Sequence, residues 1–314
     1  MAPRAVAVVA NPASKGGWVG RNWDALARRL RAAFGEVALY RTDGEGDGTR
    51  CAQDAAAAGA ETVVSLGGDG THSEVADGLL RAGVGDAVSL GILHAGSGGD
   101  FRKLLEHGHD FEASCAVIRD RPAVAVDAGF VEYVTDGGRP QSRHFLNLVS
   151  VGVGGLVDRY VNASGKPFGG TAAYLTATVR ASLRYEPARA RVTVDGFQLG
   201  VFDLNVVCVC NGRWAGGGMR FAPRARVADG LFDVVVIKHA PIVKSVPVMA
   251  GLYSGRHLWS RLVETTRARE VVVEPLTDAR AYLDIDGEAP GVAPASFRVL
   301  PRALRVHGVR GDFL

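Results

Sequence analysis

The sequence predicts an α/β domain with a parallel sheet, followed by a mostly β domain with antiparallel sheets. Up to residue 121, short apolar runs alternate with segments of helical periodicity, as in parallel strands joined by right-handed crossovers. From residue 122 onward, strand-like runs often alternate in polarity, and few helices interrupt them. We therefore expect one domain at 1–121, a second at 122–300, and a C-terminal segment at 301–314.

The composition limits the class of protein. The 314 residues are 47% hydrophobic and 22% charged, which is typical of a globular chain with a substantial core. The net charge of +3 is too small to indicate nucleic acid as a partner. No apolar run approaches the roughly 18 residues of a transmembrane segment, and the run at 5–10 is too short for a signal peptide. The 4 cysteines lack metal-ligand spacing, so we expect a soluble, cytoplasmic protein.

The first domain has regular elements in alternating order. Apolar runs predict strands at 5–10, 36–40, 63–66 and 88–93. Helical periodicity predicts helices at 23–34, 51–58 and 71–81. Asp100 is expected to cap a further helix that contains Phe101, Leu104 and Leu105, although a direct ligand role is about as plausible for its side chain.

The second domain is predicted from its strands. These are expected at 124–130, 145–151, 190–194, 202–210, 232–237, 271–275 and 281–285. Helices are expected at 174–183 and 243–262, the latter broken at Pro247 and Gly251. The apolar side of this last helix suits either a bilayer or, more commonly, a protein core.

The segment at 63–75 carries the strongest functional signal. A buried strand stops at Gly67 and Gly68, and a helix begins within a few residues. Glycines in such a turn let backbone N–H groups approach a phosphate, and the helix directs its positive end at it. Asp69 would be unfavourable in an anion site unless it faces Mg²⁺ on a nucleotide or a substrate hydroxyl. The alternative is a plain glycine turn whose aspartate caps the helix.

Similar turns follow two other predicted strands. Asn11 to Gly17 comes after the first strand, and His94 to Phe101 comes after the fourth. The carboxyl ends of parallel strands share one edge of a sheet, where ligands bind in open α/β folds. Together the three turns predict a pocket for a polyphosphate.

Two segments of the second domain suggest chemistry. Asp286, Gly287 and Glu288 end a strand, and a fixed carboxylate is the usual proton acceptor for a hydroxyl that attacks phosphorus. A simple acidic turn is the alternative. The glycine-rich run at 211–218 precedes Asp229 and Gly230, a pair that is also a natural turn between strands.

These motifs, taken in order, resemble the diacylglycerol kinase catalytic domain family, which includes bacterial YegS-like lipid kinases, sphingosine kinases and ceramide kinases. The resemblance rests on the segments at 11–14, 67–71, 96–101, 216–233 and 286–288. It implies a Rossmann-like nucleotide-binding domain, a C-terminal β-sandwich and an active site in the cleft between them. It also implies that 301–314 packs back on the first domain. The chain departs from the usual family pattern at Ser73 and Gly99, where the family has asparagine.

The same resemblance implies roles for particular residues. ATP would be surrounded by Asn11, Pro12, Ala13, Ser14, Thr42, Gly67, Gly68, Asp69, Gly70, Thr71 and Ser97. Glu288 would accept the proton with Asp286 beside it, and Asp69 would meet the Mg-nucleotide or assist the base. A structural Mg²⁺ would bind Asp229 and the main-chain carbonyls of Arg226 and Leu231, a donor set that suits a hard cation.

We therefore expect an ATP-dependent kinase that phosphorylates a lipid hydroxyl at the membrane surface, with diacylglycerol the first candidate. It would be a peripheral protein without a transmembrane segment, and a homo-oligomer is compatible with the sequence. One alternative is an NAD kinase. The glycine-serine-threonine-alanine-tyrosine loop of that family is weakly similar to residues 169–174. Another is a nucleotide- or lipid-binding protein without turnover, suggested by Ser73 and Gly99.

Overall fold

The computed structural model describes residues 5–96, 98–106, 108, 110–163 and 184–314. The chain forms two compact units, Met1–Ala128 with Pro301–Leu314, and Gly129–Leu300. Ser97, the segment at 169–174 and the helix predicted at 174–183 lie outside the described residues. No helix within the described ranges is long and apolar enough to span a membrane.

The first unit is a parallel sheet with helices. Its elements are β1 (Val6–Ala10), α1 (Ser14–Arg21), α2 (Trp23–Phe34), β2 (Val37–Arg41), α3 (Asp47–Ala57), β3 (Thr62–Gly67), α4 (Asp69–Arg81), β4 (Ser89–His94) and α5 (Phe111–Asp120). The strand order is β4-β3-β1-β2, all parallel, and the end of a long C-terminal strand, β14 (Val292–His307), adds to the β4 edge. The parallel α/β architecture predicted from the sequence is confirmed.

Burial explains why these segments are strands and helices. All 6 residues of β3 are buried, which is typical of a parallel strand covered on both faces. α2 buries Leu26, Ala27, Leu30 and Phe34, at helical spacing. Two predictions differ in detail. α3 begins at Asp47 rather than at residue 51, and only a 3-10 turn, Phe101–Leu104, follows Asp100.

The predicted cap at Asp100 is wrong. Its side chain does not accept a capping hydrogen bond and instead forms an ion pair with Lys103. A turn of 4 residues leaves the ammonium group three positions away within reach, and that charged partner competes with the backbone for the carboxylate.

The second unit is a β-sandwich with helices on one side. Its strands are the second half of β5 (Ala123–Val134), β6 (Pro140–Phe145), β7 (Leu148–Gly152), β8 (Arg189–Val194), β9 (Phe197–Cys210), β10 (Phe232–Lys238), β11 (Val263–Ala268), β12 (Glu270–Pro275), β13 (Leu283–Ile285) and the first part of β14. One sheet has the order β11-β10-β9-β7-β13, and the other runs β9-β8-β12-β14-β5-β6. β9 belongs to both sheets, and the predicted antiparallel sandwich is confirmed.

Alternate residues of the β9 sheet face two apolar layers. Val207 and Val209 point into the core between the sheets, whereas Cys208 and Cys210 point to the outer face. That outer face is covered by α6 (Val153–Ala163) and α7 (Ile242–Leu252). Burial raises the pKa of the Cys210 thiol well above its usual value, so it is an inert core residue.

Sequence reasoning misses four elements of this unit. α6 is hidden by its two glycines, β11 by its polar sequence VETTRA, and β14 by Pro294 and Pro301, which read as strand breaks. The fourth is β6, whose mostly polar sequence PQSRHF shares only its last residue with the strand predicted at 145–151. That predicted strand is β7, which begins at Leu148 because the backbone N–H groups of Leu146 and Asn147 bond to a side chain instead of a neighbouring strand.

The helix predicted at 243–262 is shorter in the structure. α7 continues through Pro247 and ends at Leu252, and the chain goes on as a 3-10 turn, Arg256–Trp259, before β11. Pro247 falls at the sixth position of α7, and the predicted break at this residue is wrong.

Candidate active site

The first unit has a topological switch point between β1 and β3. From β1 the chain moves to β2 on one side, whereas β3 lies on the other side of β1 and leads to β4. In open α/β sheets the crevice outside the carboxyl ends of such strands binds ligands. The predicted loops at 11–14 and 67–71 both leave the sheet at this point.

Asn11 joins these two loops. Its Nδ2 donates to Thr71 Oγ1 at 3.2 Å, and its Oδ1 accepts from the N–H of Ala13 at 2.9 Å. Its own backbone N–H donates to the carbonyl of Leu66 at 3.0 Å. The side chain therefore holds both turns in fixed positions, with their backbone close together. Of the other predicted ATP residues, Pro12 accepts from the N–H of Gly20 at 3.0 Å.

Close approach explains the glycines. A Cβ on Gly67 would lie 2.5 Å from Thr71 Oγ1, and a Cβ on Gly96 would lie 2.7 Å from the Cα of Gly68. The β3 and β4 loops are therefore in direct contact, and Ala95 N donates to Gly67 O at 2.6 Å. Gly68 is the N-cap residue of α4 and has no side chain that would cover the first N–H groups of the helix, a geometry that suits an anion.

Asp69 lies between the same two loops. Its Oδ2 accepts backbone N–H groups from Gly99 at 2.7 Å and Asp100 at 3.3 Å. Its Oδ1 is buried and has no hydrogen-bond partner among the described residues. One oxygen thus holds the β4 loop, and the other is left to accept from water on a cation or from a substrate hydroxyl. The unpaired Oδ1 is compatible with the predicted contact between Asp69 and a Mg-nucleotide.

The glycine at position 99 is required by its surroundings. Its φ is +92°, and a Cβ there would lie 2.9 Å from His94 Nε2 and 3.0 Å from Arg102 Nε. Burial lowers the pKa of Arg102, while the charges of Asp69 and Asp100 oppose that shift. The space that an asparagine would need is taken by the histidine and the arginine, which accounts for this departure from the usual family pattern.

Glu74 positions the loop that carries Thr42. Its two carboxylate oxygens accept the N–H groups of Gly46 and Gly48, each at 2.8 Å, at the beginning of α3. A Cβ on Gly48 would lie 2.5 Å from the carboxylate. Thr42 is buried and its N–H donates to Ala10 at the end of β1 at 3.0 Å. Sequence reasoning assigns Glu74 only to a helix, because its partners lie 26 and 28 residues away.

A buried histidine, His72, packs between β3 and the end of β4. His72 Nδ1 lies 2.8 Å from Ser65 Oγ, and its ring centroid is 5.7 Å from that of His94. Burial, and then the neighbouring His94, place the pKa of His72 well below its usual value. The imidazole is neutral at physiological pH.

In the second unit, Glu288 is presented by a tight hairpin turn. Ile285 and Glu288 exchange backbone hydrogen bonds, and the two residues between them have positive φ, 50° at Asp286 and 94° at Gly287. This is the turn that an Asp-Gly pair favours. The Glu288 carboxylate forms an ion pair with Arg143 of β6, a residue for which the sequence gives no signal.

Asp286 binds backbone. Its carboxylate accepts the N–H groups of Leu146 at 2.8 Å, and of Asn147 and Leu148 at 3.0 Å each. The side chain is buried and fixes the β6–β7 connection to the turn that carries Glu288. Asn147 in turn donates to the carbonyl of Trp214 at 2.7 Å, which ties in the glycine-rich segment at 211–218.

The predicted structural metal site has a charged partner of its own. Asp229 Oδ1 accepts from the N–H of Leu231 at 3.2 Å, and Oδ2 pairs with Arg267. Burial raises the pKa of the nearby Asp233, and the charge of Asp229 adds to this shift. The donors are of the type that Mg²⁺ prefers, but the guanidinium of Arg267 already balances their charge. Among the described residues no group of three or more His, Cys, Asp or Glu side chains is arranged for a metal ion.

An apolar cavity of about 70 Å³ lies in the second unit, between the outer face of the β9 sheet and its two helices. Its polar part is formed by Ser150, Asn205, Lys238, Ser245 and Asp284. Asp284 Oδ1 accepts from the N–H of Gly287 at 2.7 Å. A second, more open recess beside Glu274 and Arg280 contains none of the predicted site residues. The apolar part of the cavity is lined by Leu148, Val153, Val157, Val206, Met219, Phe221, Ile237, Val248, Met249, Leu252 and Leu262.

The structure thus gathers the predicted residues into three groups. The residues of 11–14, Thr42 and 67–71 belong to the first unit, and the turn with Asp286 and Glu288 and the pair at Asp229 belong to the second. Their roles, and the expected place of the active site between the domains, remain predictions. Sequence reasoning does not find Glu74, His72, Arg143 or Asn147.

The fold is that of the diacylglycerol kinase and NAD kinase class. A diacylglycerol kinase structure from Bacillus anthracis str. Sterne aligns over 100% of both chains with a TM-score of 0.69 and 20% identity. The yeast NADH kinase complexed with NADH aligns over 99% of this chain and 85% of the other, with a TM-score of 0.53 and 10% identity.

Sequence comparisons identify the family. Residues 5–131 match the diacylglycerol kinase catalytic domain, and residues 147–308 match the YegS C-terminal NAD kinase beta sandwich-like domain. A Pseudomonas aeruginosa (strain UCBPP-PA14) protein named "Probable lipid kinase YegS-like" is 34% identical over 88% of this chain and 86% of its own length. The diacylglycerol kinase of Bacillus subtilis (strain 168) is 26% identical over 95% and 94%. The chain belongs to the diacylglycerol kinase family of lipid kinases.

The buried His72 gives the first unit a pH dependence. Its folded pKa is depressed, so its contribution to stability is present above about pH 6.5, the usual histidine pKa, and is lost as the pH falls below it. We expect the Tm of the wild type to fall between about pH 7.5 and pH 5.5, and to fall less in His72→Asn, which keeps a neutral polar group near Ser65. Thermal unfolding followed by circular dichroism measures both. His239→Asn, at an exposed histidine, is the control, and equal slopes in all three proteins would contradict the assignment.

The backbone contacts of Asp286 predict a large effect on stability. Asp286→Asn replaces one acceptor oxygen with an N–H₂ group that faces backbone donors, so we expect it to lower the free energy of unfolding by about 1–3 kcal/mol. Urea unfolding gives this value. Asp278→Asn, at an exposed aspartate of the same unit, should leave it within about 0.5 kcal/mol. If Asp286→Asn unfolds at the same urea concentration as the wild type, these three hydrogen bonds do not stabilise the β6–β7 connection.

Proposed function

We propose that this protein is an ATP-dependent lipid kinase that transfers the γ-phosphate of ATP to the hydroxyl of a membrane-derived lipid. Diacylglycerol is the first candidate acceptor, with phosphatidic acid as the product. The observation that carries the proposal is the apolar cavity beside the turn of Glu288. Its polar part includes Asp284, which is hydrogen-bonded to that turn. An acyl chain in the cavity would bring the hydroxyl of its headgroup to the carboxylate.

The lining of the cavity suits a hydrocarbon chain. It consists mostly of aliphatic side chains, and two methionines, Met219 and Met249, add flexible and polarizable surface. At about 70 Å³ the cavity is smaller than the roughly 300–1,000 Å³ of typical ligand sites. A long acyl chain therefore has to widen it, and the flexible methionines and α7 are the parts of the wall suited to that.

We propose Glu288 as the proton acceptor in the reaction. The acceptor oxygen attacks the γ-phosphorus, the bond from this phosphorus to the bridging oxygen of ADP breaks, and the hydroxyl proton passes to the carboxylate of Glu288. Arg143 fixes the orientation of that carboxylate through their ion pair. Asp286 holds the turn in place from the backbone side, so we assign it a positioning role.

For the nucleotide we propose the loops at the switch point of the first sheet. Asn11, Pro12, Ala13, Ser14, Thr42, Ser97 and the segment at 67–71 would surround ATP, with phosphate oxygens at the beginning of α4. The second oxygen of Asp69 would face the Mg²⁺ carried by the nucleotide, which offsets phosphate charge during transfer. A structural Mg²⁺ at Asp229, Arg226 and Leu231 would have to replace the guanidinium of Arg267.

The location we propose is the cytoplasm, with peripheral association at the membrane. The cysteines Cys51, Cys115, Cys208 and Cys210 are free and buried, which suits a reducing compartment.

An assay distinguishes the lipid kinase from the two alternative functions, an NAD kinase and a non-catalytic binding protein. Labelled ATP offered with a lipid extract and with NAD gives a labelled lipid under our proposal, labelled NAD for an NAD kinase, and binding without transfer for a non-catalytic protein. Mass spectrometry of the labelled product identifies the acceptor.

The base role of Glu288 has a direct test. Glu288→Gln keeps the shape of the side chain but cannot accept the proton, so we expect kcat to fall about 10²–10⁴-fold. ATP affinity, measured by calorimetry, should change less than about twofold, because the residue belongs to the other unit. Glu270→Gln, at an exposed glutamate of the same unit, is the control. Unchanged turnover in Glu288→Gln would remove this residue from the base role.

The acyl-chain role of the cavity can be tested on α7. Met249→Trp fills the cavity, so we expect kcat/KM for a long-chain diacylglycerol to fall about tenfold relative to a short-chain one in the same detergent micelles. Ala250→Trp places the same indole at the next position, on the exposed side of the helix, and should leave the ratio unchanged. Equal ratios in both variants would mean that the acyl chain binds elsewhere.

A further inference from the structure

α7 carries apolar side chains on a side that faces the cavity and on a side that faces outward. Ser245, Val248, Met249 and Leu252 recur at helical spacing and line the cavity. An apolar helix surface is normally buried in a core or a membrane. In this structure only the inner side of α7 is buried.

The outer side exposes large apolar groups. Ile242, Val246, Ala250 and Tyr253 follow one another at steps of four, four and three residues, and all are exposed, as is Val243 at 81%. Eight large apolar side chains are exposed among the residues that the structure describes, and five of them lie between 242 and 259. Such a concentration differs from the scattered apolar residues of an ordinary surface.

The turn after α7 adds a tryptophan to this surface. A Cβ on Gly251 would lie 2.7 Å from the backbone nitrogen of His257, so the turn packs directly on the end of the helix. His257 is buried and its Nε2 lies 3.0 Å from the carbonyl of Phe221. Trp259, two residues on, is 81% exposed. An anchored backbone thus presents an indole ring to the surroundings, a residue that favours membrane interfaces.

The charge of the segment has one sign. Residues 239–263 contain Lys244, Arg256 and Arg261 and no aspartate or glutamate. All three basic residues are exposed, and none forms an ion pair with another described residue. An apolar stripe with lysine and arginine beside it is the pattern of interfacial helices on anionic lipid.

We propose that residues 242–261, the α7 surface, dock on a bilayer that contains anionic lipids. The helix would lie in the plane of the interface, with Val243, Val246 and Trp259 among the acyl chains and the basic residues among the headgroups. A symmetric contact with a second copy is disfavoured, because it would bring like charges together. The inference rests on the proposed function in one respect: the acceptor would pass from the bilayer to the cavity on the inner side of α7.

The test measures binding of the full-length protein to vesicles of phosphatidylcholine, with and without phosphatidylglycerol, by cosedimentation. We expect the doubly substituted variant Val243→Ser, Trp259→Ser to bind the anionic vesicles at least about tenfold more weakly than the wild type. Phe197→Ser, Leu276→Ser removes two exposed apolar side chains outside the surface and should bind within about twofold of the wild type. Circular dichroism and Tm establish that each variant is folded.

A second pair of substitutions tests the charge. Lys244→Gln, Arg256→Gln should weaken binding to the anionic vesicles about fivefold for each charge removed, and leave binding to pure phosphatidylcholine unchanged. The proposal is overturned if the wild type does not bind the anionic vesicles, or if the variants of the α7 surface and the control variant bind equally. A dimer that the Val243→Ser, Trp259→Ser variant dissociates in sedimentation, with vesicle binding unchanged, would assign the surface to a second copy and also overturn it.

Activity in detergent separates this proposal from the proposed function. With a short-chain acceptor in micelles, the α7-surface variants should retain the wild-type rate, because their changed side chains do not line the cavity. If the short-chain acceptor is phosphorylated but the α7-surface substitutions leave vesicle binding unchanged, only the docking surface is overturned. Vesicle binding that depends on the surface, without phosphorylation of any lipid, would support the surface and overturn the lipid kinase.

Discussion

Carboxylates that accept backbone N–H groups from distant loops are the interaction on which the candidate site depends. Asp69 holds the loop after β4, Glu74 holds the start of α3, and Asp286 holds the connection between β6 and β7. Each contact joins residues that are 26 to 140 positions apart in the chain. A charged acceptor forms stronger hydrogen bonds than a neutral one, so a few such residues can fix glycine-rich loops that have little side-chain packing of their own.

The sequence predicts the regular framework well and the contacts between loops poorly. β1, β3 and β4 are recognisable as short apolar runs. Gly67 and Gly96 mark the turns in which β3 and β4 end. These are local signals. The partner of a carboxylate is not local: the sequence marks Asp69 as an unusual residue in an anion site, but not that one of its oxygens binds the β4 loop. β14 is missed for a different reason: prolines argue against a central strand, yet β14 contains Pro294 and Pro301 and has neighbouring strands on both sides.

The departure from the family pattern at Gly99 is explained by the three-dimensional structure. Gly99 has a positive φ, and its neighbours His94 and Arg102 fill the volume that a side chain would use. The histidine contacts His72, which in turn bonds to Ser65 of β3. A glycine that looks like a loss in the sequence is therefore part of a packed set of side chains beside the glycine-rich loops.

β9 is shared by both sheets of the sandwich. Its first half pairs with β8, and its second half pairs with β10 on one side and β7 on the other. Neither sheet can lose this strand without exposing the apolar face of the other. If the two sheets separated, the buried side chains of Val207 and Val209 would be exposed to water, together with the core residues of the strands that pair with β9. The second unit therefore lacks a boundary between its two sheets at which one could separate and leave the other intact.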